Sequence, residues 1–208
     1  MRENASIRLV FVLALTVCVL LTAANILLGE LNQDEGWYLY AAGQVARGAL
    51  PYRDFAFTQA PVMPFVYAAA DVLVRAWGVA GGRIFTAFLG FLSVLAASVL
   101  AAKVASRRWR AHAALTAFVL VGINVYQSYF TAVVKTYSLC ALLLTTGMLV
   151  LAAGYNSRRL LSCFISGILL ALAAGTRIST GIALPVVFLF LLFWGWRADW
   201  RSWFAFGL

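Results

Sequence analysis

Apolar residues in this chain gather into long runs separated by short polar junctions, so run length is the first thing to settle. A helix crossing a hydrocarbon core of about 30 Å needs about 20 mostly apolar residues in succession. Six runs qualify, at 8–29, 83–103, 112–129, 136–154, 160–176 and 179–196. Residues Trp203 to Leu208 open a further apolar stretch. The pattern predicts an all-α polytopic transmembrane bundle of about six spans plus the start of a seventh. It reads as one membrane domain over 1–208, the N-terminal and incomplete part of a longer protein.

The exception to this rhythm is residues 30–82, ELNQDEGWYLYAAGQVARGALPYRDFAFTQAPVMPFVYAAADVLVRAWGVAGG. That stretch is too long for a simple connector and too aromatic to float free in water. Within it, 35–47 places Trp37, Tyr40, Ala41 and Val45 on one helical face before Gly48 and Pro51 end the helix. Residues 62–77 give a second candidate, with Phe65, Ala69, Val72, Leu73 and Trp77 at helical spacing and Asp71 and Arg75 four apart. Both read as amphipathic helices lying at the membrane surface.

Composition narrows the class. With 64% hydrophobic and 11% charged residues in 208, the chain falls far from a soluble domain, where about 25% of residues are charged. It is too hydrophobic for a disordered chain, and three cysteines are too few for a disulfide scaffold. Cys18, Cys140 and Cys163 each fall inside an expected span and read as small packing residues. Gly167, Ala171 and Gly175 recur every four residues, a small-residue face that lets helices approach closely.

The net charge of +9 acquires meaning from its placement. Lys103, Arg107, Arg108 and Arg110, then Arg158 and Arg159, then Arg197 and Arg201 occupy alternate connections, which by the excess of Lys and Arg in cytoplasmic loops puts the N-terminus inside. The basic excess therefore sets orientation and does not point to nucleic acid. The first run, flanked by Arg2 and Arg8, could also be a signal peptide cleaved near Thr22-Ala23-Ala24. Its apolar region exceeds the usual length of about 7–15 residues, which favours a retained anchor. Five of the seven acids, Glu30, Asp34, Glu35, Asp54 and Asp71, lie in the first loop, on the external side.

Two readings fit Asp34 and Glu35. Asn32 and Glu35 have capping-box spacing, and acids in a first turn suit the helix dipole. A carboxylate at the edge of a low-dielectric region is also a good general base. The readings are compatible. Three cations, Arg83, Lys135 and Arg177, fall at the external ends of expected helices, where charge is costly and is usually paired or functional. Carboxylates and cations on one face fit a reaction that deprotonates one partner and releases an anion at the lipid surface. The sole histidine, His112, lies at a cytoplasmic helix start and reads as a surface residue.

The string DEGWYLYAAGQVARGALPYRDFAFTQAPVMPFVYAAADVLVRAWG resembles the first loop of the polytopic GT-C glycosyltransferases, in particular bacterial membrane glycosyltransferases related to protein O-mannosyltransferases and to the aminoarabinose transferase of lipid A. The matching positions are Asp34, Glu35, Tyr38, Gly48, Pro51, Tyr52, Asp54, Pro61, Pro64 and Gly78. VVKTYSLCALL is similar to the family's basic-x-Tyr-x-Leu helix entry, and AAGTRIST carries a cation where relatives do. The resemblance implies a polyprenyl-phosphate-linked sugar donor and a lipid, glycan or protein acceptor outside a bacterial inner membrane. It implies Asp34 as catalytic base with Glu35 beside it, and Tyr38, Tyr52, Asp54, Arg83, Lys135, Tyr137 and Arg177 as substrate-binding residues. The cations make a metal unnecessary, although Asp34, Glu35 and Asp54 are oxygen ligands of the kind Mg²⁺ or Mn²⁺ accepts. In one departure, Thr58-Gln59-Ala60 stands before Pro61 where relatives often carry a charge. Two other classes compete: a transporter or channel with a polar path through the spans, and a non-catalytic membrane assembly protein.

Overall fold

The computed structural model describes residues 2–154, 159–194 and 201–207, and their regular elements are helices. Four are long and apolar enough to cross a membrane: α1 (Arg2–Leu28) from Ser6 onward, α5 (Val79–Val104), α8 (Tyr137–Gly154) and α9 (Arg159–Thr176). Along α1, Leu9, Leu13, Leu20 and Leu27 stay exposed, a surface suited to hydrocarbon and not to water.

The expected third span, 112–129, is broken. It consists of α6 (Arg110–Gly122) and α7 (Val125–Ala132), and the run from Arg107 to Gly122 meets α7 at 68°. Counted together they would make a fifth span. The break has a local cause: Asn124 is extended and its side chain accepts the Gln127 N–H at 3.1 Å, an N-cap that starts a new helix in a new direction.

The expected sixth span also shortens. Ile178–Ile182 is a 3₁₀ turn, and α10 (Ala183–Trp194) has only 12 residues, about 18 Å at about 1.5 Å each; residues 195 and 196 lie outside the described set. Where a seventh span was expected to begin, α11 (Arg201–Gly207) lies against α9. Phe206 joins a buried cluster of Cys163, Leu170, Val187 and Leu191. A Cβ on Gly167 would sit 2.3 Å from the Phe206 carbonyl oxygen, and one on Gly175 would sit 2.8 Å from Val62 Cγ2. The small-residue stripe is thus where α9 receives neighbours.

The first loop holds α2 (Gln33–Ala46), then α3 (Val62–Tyr67), a 3₁₀ turn (Ala68–Ala70) and α4 (Asp71–Trp77). The face of α2 expected from apolar spacing is rotated. Tyr40 is 54% exposed, whereas Glu35, Tyr38, Leu39, Ala41 and Ala42 are buried. The rotation follows from burying a carboxylate, which a hydrophobic count assigns to solvent. Gly82 of α5 provides the seat, since a Cβ there would meet Leu39 Cδ2 at 2.7 Å. In the second segment Met63, Pro64, Tyr67 and Ala70 turn inward, leaving Phe65, Val72 and Trp77 exposed on the apolar stripe. Asp71 and Arg75 form their i,i+4 pair at 2.6 Å. The main core joins α2, the 51–67 segment, α5 and α8 through Tyr38, Leu39, Phe57, Met63, Tyr67, Leu89, Val134 and Leu139. Cys18, Cys140 and Cys163 are buried free thiols.

Candidate functional site

The start of α2 is set by its cap. Asn32 accepts the Asp34 N–H at 3.1 Å, and Glu35 accepts the Asn32 N–H at 3.0 Å, completing a capping box. In an α-helix successive residues are about 100° apart, so Asp34 and Glu35 face different surroundings.

Glu35 points inward and is 1% exposed. Arg83, at the start of α5, meets it with a two-pronged contact: Nε donates to Oε1 at 2.8 Å and Nη2 to Oε2 at 2.7 Å. Each carboxylate oxygen takes one more donor, the Val134 N–H at 3.1 Å on Oε1 and the Asn32 N–H on Oε2. Burial alone would raise the Glu35 carboxyl, but the guanidinium and the two amides outweigh it and hold it below the ordinary range. Arg83 spends its remaining donors on the end of α1, reaching the carbonyls of Asn25, Ile26, Gly29 and Glu30 at 2.8–3.4 Å. The Asn25 and Ile26 carbonyls belong to the last turn of α1 and those of Gly29 and Glu30 follow it, so the Arg83 guanidinium caps the C-terminus of α1. One ion pair thereby ties α1, α2, α5 and the α7–α8 junction together.

Asp34 turns the other way. Its side chain is 46% exposed and lies 2.9 Å from Lys135 Nζ, in the junction Val133–Thr136. The hydrogen bond to Asp34 raises the lysine, keeping it an ammonium. Asp34, Tyr38, Gln59, Lys135, Thr136, Tyr137, Arg177 and Ser179 line a mostly polar cavity of about 360 Å³, within the usual range for small-molecule sites. Tyr38 is buried beside Asp34, and both desolvation and that negative charge push its phenol up, so it remains an O–H donor. Arg177 follows α9 in extended conformation. Its Nη1 donates to Thr136 Oγ1 at 3.3 Å and its Nε to Ser179 Oγ at 3.1 Å, and the guanidinium lies 4.5 Å from the Tyr137 ring centroid. Among the described residues no carboxylate pairs with it.

Tyr137 and Arg177 also line a second cavity, of about 340 Å³ and mainly apolar, walled by Tyr126, Phe130, Ala141 and Leu144. The turn of α7 away from α6 builds this wall: Phe130 packs against Tyr137 at 4.9 Å and against Tyr126 at 4.6 Å. A polar chamber therefore shares its cationic rim with an apolar groove. A further cavity of about 560 Å³ between α9, α10 and α11 is mainly apolar and is lined by none of these groups.

Five of the nine expected site residues, Asp34, Tyr38, Lys135, Tyr137 and Arg177, therefore share one chamber. Glu35 and Arg83 lie behind it in their ion pair. Asp54 and Tyr52 do not line it. Asp54 closes an exposed turn, accepting the Leu50 N–H at 2.8 Å and pairing with Arg53 at 2.8 Å, and these contacts hold its carboxyl down to about 2. Tyr52, at φ 67°, donates from its hydroxyl to the Gln59 carbonyl and so fixes the segment that lines the chamber. Asp34, Glu35 and Asp54 do not gather as ligands, and among the described residues no group of three or more His, Cys, Asp or Glu side chains is placed to hold a metal ion. Sequence reasoning missed Gln59, Thr136 and Ser179 as lining residues. Gln59 had left a signal, since it stands in the segment that departs from the charged pattern. Comparison with protein-family models, curated proteins and solved structures finds no match for this chain.

Proposed function

We propose that this chain is a GT-C-type membrane glycosyltransferase that moves a sugar from a polyprenyl phosphate to an acceptor outside the bacterial inner membrane, with the N-terminus cytoplasmic. The observation that carries the reading is a pair of neighbouring cavities with Tyr137 and Arg177 common to both: a chamber holding one half-exposed carboxylate and two cations, and beside it an apolar groove. A lipid phosphate has that same division, an anionic head on an apolar tail. Support also comes from the apolar surfaces of Phe65, Val72 and Trp77, which suit α3 and α4 to the membrane interface.

In this reading Lys135 and Arg177 hold the donor phosphate, and Tyr137 marks where head becomes tail. The phosphate draws Lys135 from Asp34 and frees the carboxylate. An acceptor hydroxyl then gives its proton to Asp34 while its oxygen lone pair forms the new bond to the anomeric carbon. The bond from that carbon to the phosphate oxygen breaks, and its electron pair leaves with the lipid phosphate, inverting the centre. Lys135 and Arg177 stabilise that growing charge, which counts for most where water is scarce. Glu35 and Arg83 act as positioning residues, because the carboxylate that follows Asp34 also accepts the amide that precedes Lys135.

The test is transfer of labelled sugar from synthetic polyprenyl-phosphate sugars to envelope fractions by the reconstituted full chain, together with glycan and lipid mass spectrometry of a deletion strain. Asp34→Asn should abolish transfer while membrane insertion stays intact. Undiminished transfer by that variant would refute the assignment of the base.

A further inference from the structure

A second lobe adjoins the chamber at Asp34. There Asp34, Trp37, Tyr38, Thr58 and Gln59 line a lobe of about 390 Å³. Asp34, Tyr38 and Gln59 belong to both lobes, so they form the wall between them. The linings differ in kind. The first lobe holds Lys135 and Arg177, whereas the second adds only an indole and a hydroxyl and has no charge beyond Asp34 itself.

This second lobe is built. Trp37 stacks on Phe57 with centroids 4.8 Å apart and planes 17° from parallel, and Phe57 is 5% exposed. Tyr52 fixes the other end of the segment through the Gln59 carbonyl. Trp37 keeps part of its surface open to the cavity, beside the exposed Thr58 and Gln59 side chains. An aromatic plane flanked by a hydroxyl and an amide matches a pyranose, whose C–H face lies on a ring while its hydroxyls both donate and accept. An anionic acceptor would need a cation here, and the cations lie across the wall.

We infer that this neutral lobe is the acceptor subsite and that it takes an uncharged sugar of a glycan or glycolipid, one hydroxyl aimed at Asp34. The inference rests on the transferase reading, in which the lipid phosphate occupies the cationic lobe. Inversion then requires the nucleophile to arrive from the side of the anomeric carbon opposite the phosphate, and a lobe that shares Asp34 but not Lys135 or Arg177 with the phosphate site provides for that separation.

The experiment uses the full chain in nanodiscs with two sets of probes. Undecaprenyl phosphate reports on the cationic lobe. The neutral disaccharides maltose, lactose and cellobiose report on the other, with an N-acetyl threonine amide as the peptide-like alternative. Binding is read by saturation-transfer NMR. At least one disaccharide should bind saturably. Trp37→Ala should weaken it about tenfold, equivalent to roughly 1.4 kcal/mol, Thr58→Val should weaken it less, and Trp37→Phe should largely restore it. These variants should bind undecaprenyl phosphate as the parent does, and Lys135→Ala should show the reverse pattern. Disaccharide binding that is absent, or indifferent to Trp37→Ala, while lipid phosphate still binds through Lys135, overturns the acceptor assignment alone. Threonine amide binding through Trp37 in place of any disaccharide overturns the sugar class. Lipid phosphate binding indifferent to both Lys135→Ala and Arg177→Ala overturns the transferase reading beneath it.

Discussion

Replacing Arg83 by Met removes a charge from a place where the partner charge cannot reach water. Glu35 is 1% exposed and would keep only the Asn32 and Val134 amides. It would then have either to remain ionised without a counter-charge or to take up a proton. At pH 7, protonating a carboxyl whose ordinary value is 4.5 costs about 3.4 kcal/mol, at about 1.36 per pH unit. That agrees with the roughly 3–5 kcal/mol lost when one partner of a buried ion pair is removed. The carbonyls of Asn25, Ile26, Gly29 and Glu30 lose their donor as well, which places the expected loss in the upper part of that range. Arg83→Lys should recover little, because an ammonium cannot reproduce the two-pronged contact and also reach the end of α1.

The pH dependence separates this account from simple loss of packing. In the parent the Glu35 carboxyl is lowered on folding, so its contribution is fully present above the unfolded value of 4.5 and is lost as pH falls through the lower folded value. In Arg83→Met burial is no longer outweighed, the carboxyl is raised, and acid relieves the penalty. The stability gap between parent and variant should therefore narrow as pH falls from 7 toward 4. The assay is denaturant unfolding of the nanodisc-held protein across that range, with Glu35→Leu/Arg83→Leu as the double variant. A gap under about 1 kcal/mol at pH 7, or one that is constant with pH, would refute the reasoning; a double variant more stable than Arg83→Met would support it.

Lys135→Ala should raise the donor concentration needed for half-maximal transfer by about tenfold or more, since a charged hydrogen bond contributes roughly 1.5–3 kcal/mol; steady-state kinetics at varied donor check this. Asp54→Asn should change transfer no more than a few-fold, because its carboxylate serves an exposed turn, and a loss as complete as that of Asp34→Asn would return it to the site. Gly167→Leu should displace α11, because the added Cβ meets backbone and not a yielding side chain; protease accessibility near Arg201 would report it. Gly82→Val crowds Leu39 and Val134 and should cost about 1–3 kcal/mol by overpacking, read in the same unfolding assay.

Much of the helical order was legible because apolar run length is a strong signal, but the runs at 112–129 and 179–196 show its limit. Hydropathy does not register a cap, so the bend of 68° at Asn124 passes unseen within an otherwise largely apolar run. The chamber was legible where charge is scarce: in so apolar a sequence, Asp34, Lys135 and Arg177 stand out one by one. Gln59, Thr136 and Ser179 carry no charge and have no periodic place, and only the packing of the 51–59 segment on α2, the α7–α8 junction and the turn after α9 bring them in. The buried face of α2 was misjudged for the opposite reason. Apolar spacing put Trp37, Tyr40, Ala41 and Val45 on one face and took no account of Glu35, which is the buried polar group of that helix.

That misjudgement explains why two adjacent acids are useful. One acid could not both fix the architecture and remain open to a substrate, because a carboxylate with four donors has no lone pair left to take a proton. Two neighbours on one helical turn divide the task, since the 100° between them sends one toward Arg83 and the other into the chamber. Glu35 reads out the position of the junction through the Val134 amide, and Lys135 is the next residue, so the distance between Asp34 and Lys135 is set by a third side chain that touches neither head group. Loosening that third group, by Glu35→Gln, should therefore disturb the pairing of Asp34 and Lys135 while leaving both side chains in place. Transfer should fall with both residues intact, and a separate Asp34→Asn change added to Glu35→Gln should cost less than it does alone, as expected for residues acting as one unit.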